Sequence, residues 1–408
     1  MIAKKANIIF PLIAIIYTFL NAVFLPQGLY YTTLMTPFFF VYLIKVKAFK
    51  YYFYFLFTTF SFACIQFPSV IYLTDYLVSF LLLQTLAIFV ICCFYFIQNY
   101  TSIGYLYKIL ASINLLLLFV AICFFFFPTA KEIMWYTVPI SQDISDIPRL
   151  KMFTFEASYY SLIICPLVGY YLFKKVLLQS HYNILFITLC LSLILSFSIG
   201  VMTALSISVA LVLFLNWREL SYKINTVLLM RIIVILIVCV IGLYYIYPHN
   251  PLFNRIRNIF SGQDTSARGR TYEAFYIAWN VAKIKSVIWG SGLGQFKHIG
   301  KDFVNHYYVL SKTPVVPRIP NAVAETLCIY GILGLIVRFS LIIYFFFKTR
   351  VWDNYYRQML FIFIFIYQFT GSYLFNPAEY IVWILAFSSS SFKLFERNIS
   401  VIPKICLV

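Results

Sequence analysis

Long apolar runs recur along the whole chain, and they restrict its fold more than any other feature. As a helix, a run of roughly 20 mainly apolar residues is long enough to cross a hydrocarbon core about 30 Å thick. Inside that core every backbone N–H and C=O group needs a partner within the protein, which only helices and closed barrels provide. Because runs of this length suit helices, the sequence predicts an all-α polytopic membrane protein.

Composition supports the same fold class. The 408 residues are 63% hydrophobic and only 11% charged, whereas about 25% of the residues in soluble domains are charged. The pattern predicts about twelve membrane helices, and the division between the seventh and eighth stays open. The predicted spans are residues 7–26, 29–46, 51–67, 76–98, 106–127, 154–173, 183–198, 200–216, 228–247, 321–347, 358–374 and 378–394.

Two long connections divide these spans into three groups. The predicted organisation is N-terminal helices in 1–127, a first long loop in 128–153, central helices in 154–247, a large loop in 248–320 and C-terminal helices in 321–408. Loops beyond about 12 to 15 residues are uncommon without a function. The site is therefore expected at the two long loops.

The short loops predict the orientation in the membrane, because Lys and Arg mark the cytoplasmic side. If the N-terminus is inside, the other basic short loops also fall inside, and both termini are expected to be cytoplasmic. Lys4 and Lys5 give the chain the basic start of a signal peptide. The apolar run that follows is long and shows no cleavage site, so it is predicted to be the first span.

The cysteines and histidines do not indicate a metal site. The nine cysteines lie in or beside apolar runs without paired spacing, which argues against disulfides and a zinc site. His298 and His306 are eight residues apart and lack an obvious third ligand. Gly290, Gly292 and Gly294 form a GxGxG pattern outside any βαβ context, so they predict a tight turn and not a dinucleotide site. No cofactor, metal or nucleic-acid partner is predicted.

The large loop is strongly basic, with ten Lys and Arg against three Asp and Glu. Long loops are translocated regardless of charge, so solvated lysines or contacts with anionic lipid headgroups account for most of this excess. A helix is predicted after Ser266 as N-cap, because Tyr272, Phe275, Tyr276 and Trp279 recur at helical spacing. This helix is expected to lie along the membrane surface.

Two arginines of the loop suggest a more specific role. Arg268 and Arg270 are predicted to flank the positive end of the surface helix, where a cation is unfavourable unless an anion binds. Free backbone N–H groups and guanidinium groups together suit phosphate oxygens. The hypothesis is a phosphate or pyrophosphate site for a lipid headgroup. Loose contact of these arginines with bulk phospholipid stays open as an alternative.

Carboxylates are predicted to gather on the same side of the membrane. Such residues are costly within a bilayer and usually mark a polar cavity or a functional site. Arg149 and Lys151 precede one of them, Glu156, and a simple Glu156–Arg149 pair at a helix end remains an alternative. The four carboxylates at predicted outer ends of spans are Asp75, Glu156, Glu325 and Glu379.

The order of these features resembles the superfamily of O-antigen polymerases and ligases. The segments that carry the resemblance are "FEASYYS", "RGRTYEAFYIAW", "WGSGLGQF" and "RIPNAVAETLCIYGILGL". It covers most of the chain as architecture and about a quarter of it as motifs. Within the superfamily the chain looks most like the repeat-unit polymerases of O-antigen, capsule or exopolysaccharide, which implies a fold like that of polyprenyl-phosphate-dependent (GT-C type) glycosyltransferases.

The resemblance implies a reaction at the periplasmic face of the bacterial inner membrane. A growing glycan would pass from undecaprenyl diphosphate to the non-reducing end of a lipid-linked repeat unit. The implied partners are undecaprenyl-diphosphate-linked oligosaccharides and membrane lipids, and a chain-length regulator is a further candidate. In lipopolysaccharide or capsule assembly, this step would lengthen the polymer.

The residues singled out above suit such a transfer. Preorganised arginines stabilise a diphosphate leaving group without a divalent cation. A carboxylate or His would accept the proton of the acceptor hydroxyl, with Glu156 the first choice and Glu325, His298 or His306 the alternatives. Asn321 begins the span after the large loop. The arginines assigned to the diphosphate are Arg149, Arg268, Arg270 and Arg318.

Two other functions remain open. Ligases of the superfamily have a His just before this Asn, whereas here Pro320 precedes Asn321, which favours the polymerase unless the register is shifted or His306 takes that place.

A transporter or lipid-linked-oligosaccharide flippase also suits about twelve spans, but no internal repeat is visible. Arg231 and Arg338, the charges nearest to mid-span, are expected to snorkel to the cytoplasmic interface. A non-catalytic chain-length scaffold would need coiled-coil heptads, which are not seen.

Overall fold

The computed structural model describes residues 2–26, 28–100, 103–137, 148–178, 183–220, 245, 251–308 and 318–397. These residues are mostly helical, with one short antiparallel strand pair, β1 (Trp135–Tyr136) and β2 (Arg149–Leu150). The helices are α1 (Ile2–Ile15), α2 (Tyr31–Leu34), α3 (Thr36–Lys45), α4 (Phe49–Gln66), α5 (Leu73–Asn99), α6 (Ile103–Phe125), α7 (Pro128–Met134), α8 (Ala157–Leu178), α9 (Asn183–Leu195), α10 (Ile199–Leu215), α11 (Trp217–Leu220), α12 (Pro251–Phe260), α13 (Thr265–Arg270), α14 (Tyr272–Lys285), α15 (Phe296–Ile299), α16 (Lys301–Tyr308), α17 (Ala322–Lys348), α18 (Tyr355–Tyr367) and α19 (Pro377–Phe387).

The helices follow the predicted apolar runs closely. Among the described residues, α5, α6, α8 and α17 are long and apolar enough to cross a membrane by length and composition. Shorter apolar helices occupy most of the other predicted spans, and α4 occupies the third. The predicted span 228–247 lies almost wholly outside the described residues. The fold is therefore that of a polytopic membrane protein, and the total of about twelve spans stays a prediction.

Helix α8 lies at the centre of the largest hydrophobic core. Tyr160, Ile164 and Cys165 are completely buried there, and the helix packs against α9, α10, α18 and α19. The Tyr160 hydroxyl donates a 2.5 Å hydrogen bond to Asn114 of α6, whose amide donates to Ser192 of α9 at 3.0 Å. Polar bonds of this kind hold helices together where the hydrophobic effect is weak.

Helix α17 is broken near its middle. Gly331 has φ 65° and ψ −162°, a conformation that essentially only glycine adopts. Beyond the break, the Arg338 guanidinium lies 3.3 Å from the Thr326 hydroxyl. Twelve residues of straight helix would separate these positions by about 18 Å, so the two halves of α17 bend sharply towards each other. The predicted span 321–347 has the right bounds but is not one continuous helix.

The segment 286–295 satisfies the backbone groups that this break exposes. The amides of Ile332 and Leu333 donate to the carbonyls of Val287 and Ile288, and the Ser291 amide donates to Cys328. The Gln66 side chain of α4 adds a 2.8 Å hydrogen bond to the Ile329 carbonyl. Backbone groups at membrane depth need such partners, so this segment makes the bend possible.

The glycines of the segment form the predicted turn. Gly290, Gly292 and Gly294 all have positive φ, between 70° and 92°. A β-carbon at Gly290 would overlap the Ile329 carbonyl and the Gly331 amide. The turn therefore returns the chain to the membrane helices by direct backbone contact with the break in α17.

We expect Gly331→Ala to destabilise the protein by at least about 1–3 kcal/mol, because alanine is strained at this φ and its β-carbon would overlap the Ile288 carbonyl. Thermal unfolding in lipid nanodiscs measures the effect. Gly200→Ala is the matched control, since a β-carbon there meets no atom within 4 Å and the position is in α10. Equal melting temperatures for both variants would contradict the proposed role of the break.

Candidate functional site

Asn321 joins three segments at the start of α17. Its side-chain oxygen caps the helix by accepting from the Ala324 amide at 2.9 Å. Its Nδ2 donates to the Arg270 carbonyl at 2.8 Å and to the Phe369 carbonyl at 2.6 Å. Asn321 is completely buried, so these bonds fix the end of α13 and the loop after α18 against α17.

The loop of residues 368–376, which connects α18 to α19, forms one wall of the site. The Gln368 carbonyl accepts from the Ala322 amide at 3.0 Å. The Leu374 amide donates to the Glu325 carboxylate at 2.5 Å. The loop is thus held by the first turn of α17 at both of its ends, and Tyr373 lies between the two attachments.

Four residues predicted from the sequence converge on Tyr373. Burial and the nearby Glu156 carboxylate raise the pKa of Tyr373 to about 12, while Arg270 and Arg318 act to lower it and Glu325 adds a smaller increase. The two acids and two arginines, which come from distant parts of the chain, therefore lie close enough to the Tyr373 phenol to act on it.

Glu156 and the two arginines have uncommitted side chains within the described part of the chain. None of the three side chains forms a hydrogen bond or ion pair with another described residue. Arg318 is exposed, and Arg270 and Glu156 are half-buried. The half-helix Ala322–Tyr330 begins beside both arginines and adds the positive end of its dipole. This combination of guanidinium groups and a helix N-terminus suits an anion.

An apolar groove opens next to Arg318. A β-carbon on Gly28 would lie 3.7 Å from the Arg318 guanidinium, and Gly28 also lines the groove. Tyr30, at the same rim, lies close enough to Arg318 and Glu156 for both charges to act on its phenol. Its walls combine the apolar Leu82, Leu86, Phe89 and Phe375 with Thr32, Thr33 and Thr85. Polar and apolar binding surfaces are therefore continuous at this point.

The structure corrects the prediction for the helix near the two arginines of the large loop. The N-cap is Asp264, whose carboxylate accepts from the Ala267 amide at 2.8 Å, and not Ser266. The helix then ends at Arg270, and Thr271, with φ −110° and ψ −109°, separates it from α14. Because the helix ends at Arg270 instead of continuing into α14, Arg268 and Arg270 lie in its last turn, where a cation is favourable.

Arg268 has a structural partner, unlike Arg270. Its guanidinium Nε lies 2.6 Å from the Glu273 carboxylate. Glu273 is 3% exposed and Arg268 is 49% exposed, so the arginine neutralises a buried acid at the α13–α14 junction. The sequence grouped Arg268 with Arg270 because both follow the same turn, but only Arg270 acts on Tyr373.

Helix α14 packs by a face of small residues. Ala274, Ala278 and Val281 are buried, and this face lies against α17. Of the aromatic residues used to predict the helix, Tyr272, Tyr276 and Trp279 are exposed, whereas Phe275 packs against the buried face. An exposed aromatic face fits the expectation of a surface helix, and its contact with lipid stays a prediction.

Arg149 and Lys151 lie at the edge of the site. The Arg149 guanidinium stacks over the Tyr136 ring, 4.8 Å from its centroid. Burial and Glu156 raise the pKa of Tyr136, and Arg149 acts to lower it. Burial lowers the pKa of Lys151. Arg149 and Glu156 thus share Tyr136 as a neighbour, which places β2 beside the entry to α8.

His298 is held by a different set of residues. Its Nε2 lies 2.6 Å from the Asp75 carboxylate, the Lys297 ammonium lies 3.2 Å from the same carboxylate, and the ring stacks on Tyr72 at 3.6 Å. The predicted outer acid Asp75 therefore serves this cluster. His306 belongs to α16, and its side chain lies outside the described part. Three or more His, Cys, Asp or Glu side chains placed for a metal are not found among the described residues.

Arg338 does not snorkel as the sequence analysis expected. Its guanidinium donates to Glu379 and, at 3.0 and 3.1 Å, to the Gln368 side chain. Glu379 is completely buried and also accepts from Ser372 at 2.5 Å. The bend in α17 turns Arg338 towards these acceptors. No pattern in the sequence predicts that bend. Arg231 lies outside the described residues.

Sequence reasoning missed the contribution of the 368–376 loop. The predicted span 358–374 included most of it, because Tyr, Leu and Phe read as membrane residues. The helix ends at Tyr367, and the loop carries the phenol on which the site converges. The only available signal was the short interruption "TGS" between two apolar runs.

We expect Arg268→Ala to lower stability by about 1–3 kcal/mol, because Glu273 would remain buried without its cation. Adding Glu273→Gln should recover part of this loss, since a neutral amide costs less to bury. Thermal unfolding of the two single variants and the double variant measures the coupling. Additive effects of the two substitutions would contradict the pairing.

Comparison with known proteins adds an independent finding. Residues 184–339 match the family model described as O-Antigen ligase. The matched segment begins in α9 and ends inside α17, so it contains Arg270, Arg318, Asn321 and Glu325 but neither Glu156 nor the 368–376 loop. A search of curated proteins gives no match. The match supports the superfamily of O-antigen ligases and polymerases, membrane enzymes that transfer glycosyl groups in polysaccharide and glycoconjugate assembly.

Proposed function

We propose that the protein is a polysaccharide repeat-unit polymerase. It transfers a growing glycan from undecaprenyl diphosphate to a lipid-linked repeat unit at the periplasmic face of the bacterial inner membrane. The observation that carries the proposal is the meeting of the segments of Arg270 and Glu325 at the start of α17, where Glu156 and Arg318 also lie close enough to act on Tyr373. These residues supply the positive and negative groups that glycosyl transfer from a diphosphate requires.

The two arginines bind the leaving group. As the bond between the anomeric carbon and the diphosphate oxygen breaks, its electron pair stays with the oxygen. Arg270 and Arg318 stabilise that charge together with the N-terminus of α17. The groove beside Arg318 offers Leu82, Leu86 and Phe89 to the first part of the polyprenyl chain, because its rim meets the guanidinium.

A carboxylate receives the acceptor proton. The acceptor hydroxyl forms the new bond to the anomeric carbon and gives up its proton to the base. Glu156 is the better candidate, because its carboxylate has no hydrogen-bond partner among the described residues, whereas Glu325 already accepts from Leu374. The Tyr373 phenol stays protonated at neutral pH because its pKa is raised to about 12. It therefore donates a hydrogen bond to a sugar or phosphate oxygen.

A ligase is the main alternative, and the description of the matched family model favours it. The polymerase is favoured by Pro320, which stands where the ligases that the chain resembles have a His. The Asn321 side chain that follows is fully used in holding α13, α17 and the 368–376 loop. The two reactions share a donor and differ in the acceptor.

Lipid-linked-oligosaccharide transport is a second alternative, because the broken helix α17 is a feature of transporters. In transporters such helices place the site near the middle of the membrane. Here the polar groups gather at the end of α17 that carries Asn321, where Glu156, Arg270 and Arg318 have no hydrogen-bond partner for their side chains among the described residues. This arrangement suits a glycosyl-transfer reaction better than the transport of a lipid-linked oligosaccharide.

We expect Arg270→Ala to abolish the polymer ladder in a bacterium whose own gene has been deleted, leaving single repeat units on the surface lipid. Gel analysis of the polysaccharide and of its lipid-linked intermediates measures this outcome. Lys301→Ala is the matched control, because Lys301 is an exposed cation of the same loop that is not part of the site. Full-length polymer with Arg270→Ala would remove that arginine from the site.

The same gel separates the alternatives. Long polymer that accumulates on undecaprenyl diphosphate in the deletion strain would indicate a ligase. Single repeats trapped on the cytoplasmic side would indicate a flippase. Either result would overturn the polymerase proposal.

We expect Glu156→Gln to lower kcat by about 10² to 10⁴-fold, because the amide cannot accept the hydroxyl proton. Glu325→Gln keeps an oxygen for the Leu374 amide and should have a smaller effect. Turnover of purified protein with lipid-linked repeat units, followed across pH, measures both variants. If Glu325→Gln is the more damaging change, the base has been assigned to the wrong carboxylate.

A further inference from the structure

An ion pair buried between α17 and α19 has no role in the transfer described above. Arg338, in the second half of α17, pairs with Glu379, in the first turn of α19, and their side chains are 11% and 1% exposed. The Arg338 fork also reaches Gln368 with two donors and Thr326 with a third. This one guanidinium thus contacts both halves of α17, the end of α18 and the start of α19.

Stability alone does not account for such a pair. Removing two charges from water costs several kcal/mol per ion, and replacing a buried pair with apolar side chains is often neutral or stabilising. The cost is higher still within membrane helices. The residues that the pair holds in place are therefore a better indication of its role.

The pair holds the 368–376 loop at two of its residues. Gln368, bound by Arg338, starts the loop, and Ser372, bound by Glu379, precedes Tyr373 directly. The same loop binds the Glu325 carboxylate through the Leu374 amide. The positions of the phenol and of one acid of the site therefore depend on a backbone that Arg338 and Glu379 anchor.

We propose that Arg338 and Glu379 are positioning residues, which hold the 368–376 loop so that Tyr373 and Glu325 face Arg270 and Arg318. This inference rests on the proposed function and adds to it a second layer of residues that touches neither substrate. The pair also links Thr326 in the first half of α17 to Arg338 in the second, so the bend of the helix and the position of the loop are fixed together.

The planar fork of arginine is needed at position 338. Its donors serve three acceptors in different directions, which a lysine ammonium on a flexible chain does not reproduce. Arg338→Lys keeps the charge that neutralises Glu379 but loses the contacts with Gln368 and Thr326. The substitution therefore separates loop positioning from charge balance.

The first test is the kinetics of purified protein in nanodiscs with undecaprenyl-diphosphate-linked repeat units. Because a shift of about 1 Å in a site can cost roughly 10²-fold in rate, we expect Arg338→Lys to lower kcat by about 10- to 100-fold with little change in KM. The matched control is Arg357→Lys. Arg357 is also largely buried, but its donors reach the carbonyls of Ala386 and Thr349, away from the loop.

A second readout does not depend on turnover. Tyr373→Cys places a thiol in the loop, and its rate of modification by a membrane-impermeant maleimide, read by mass spectrometry, reports the exposure of that position. We expect the rate to change when Arg338→Lys or Glu379→Gln is added and to stay constant when Arg357→Lys is added. If the wild-type protein shows no polymerase activity, this experiment still tests the positioning role.

The double variant Arg338→Met, Glu379→Met covers the case in which the single changes fail to fold. Apolar side chains at both positions should preserve the melting temperature, while kcat and the labelling rate change as in Arg338→Lys. Wild-type kcat and labelling in a folded Arg338→Lys or double variant would overturn the proposal. An equal loss of kcat in Arg357→Lys would do the same, since the effect would then follow from any buried arginine.

Discussion

The break in α17 depends on one requirement of the membrane interior, that every backbone polar group must have a partner. A helix interrupted at Gly331 leaves amides and carbonyls without their helical partners. The segment 286–295 supplies those partners through its own backbone, and glycines at 290 and 331 allow the two chains to approach closely enough. The fold of the large loop and the bend of the helix are therefore a single feature, since neither satisfies its hydrogen bonds without the other.

The bend determines where the charged groups of the C-terminal half lie. It turns Arg338 back towards Thr326 and Glu379, and it leaves a short half-helix whose N-terminus is capped by Asn321. Asn321 in turn brings the end of α13 and the 368–376 loop to the same place. The ends of α13 and α18 and the start of α17 meet at this place. The acids and arginines near Tyr373 act on its phenol because this packing brings them close to it.

Most of the helices could be predicted from the sequence, because the thickness of the bilayer sets the length of the apolar run that a membrane helix needs. Glu156, Arg270, Arg318 and Glu325 could also be selected, since charged residues at helix ends are few in a chain of this composition. The partner of Arg268 could not be predicted, for a local reason. Sequence spacing does not reveal whether a buried acid such as Glu273 pairs with an arginine, nor that the helix ends at Arg270 and places both arginines in its last turn.

The sequence by itself determined the class of the fold, the approximate bounds of the helices and the residue types from which a diphosphate site can be built, because hydrophobicity and charge are properties of each residue. Only the tertiary structure decided which of those residues meet. The bend at Gly331, the turn of Arg338 and the place of Tyr373 depend on contacts between segments far apart in the chain, and no local pattern encodes such contacts. Tyr373 shows the difference most clearly, since its place in an apolar run of the sequence does not predict the four charged side chains that act on its phenol.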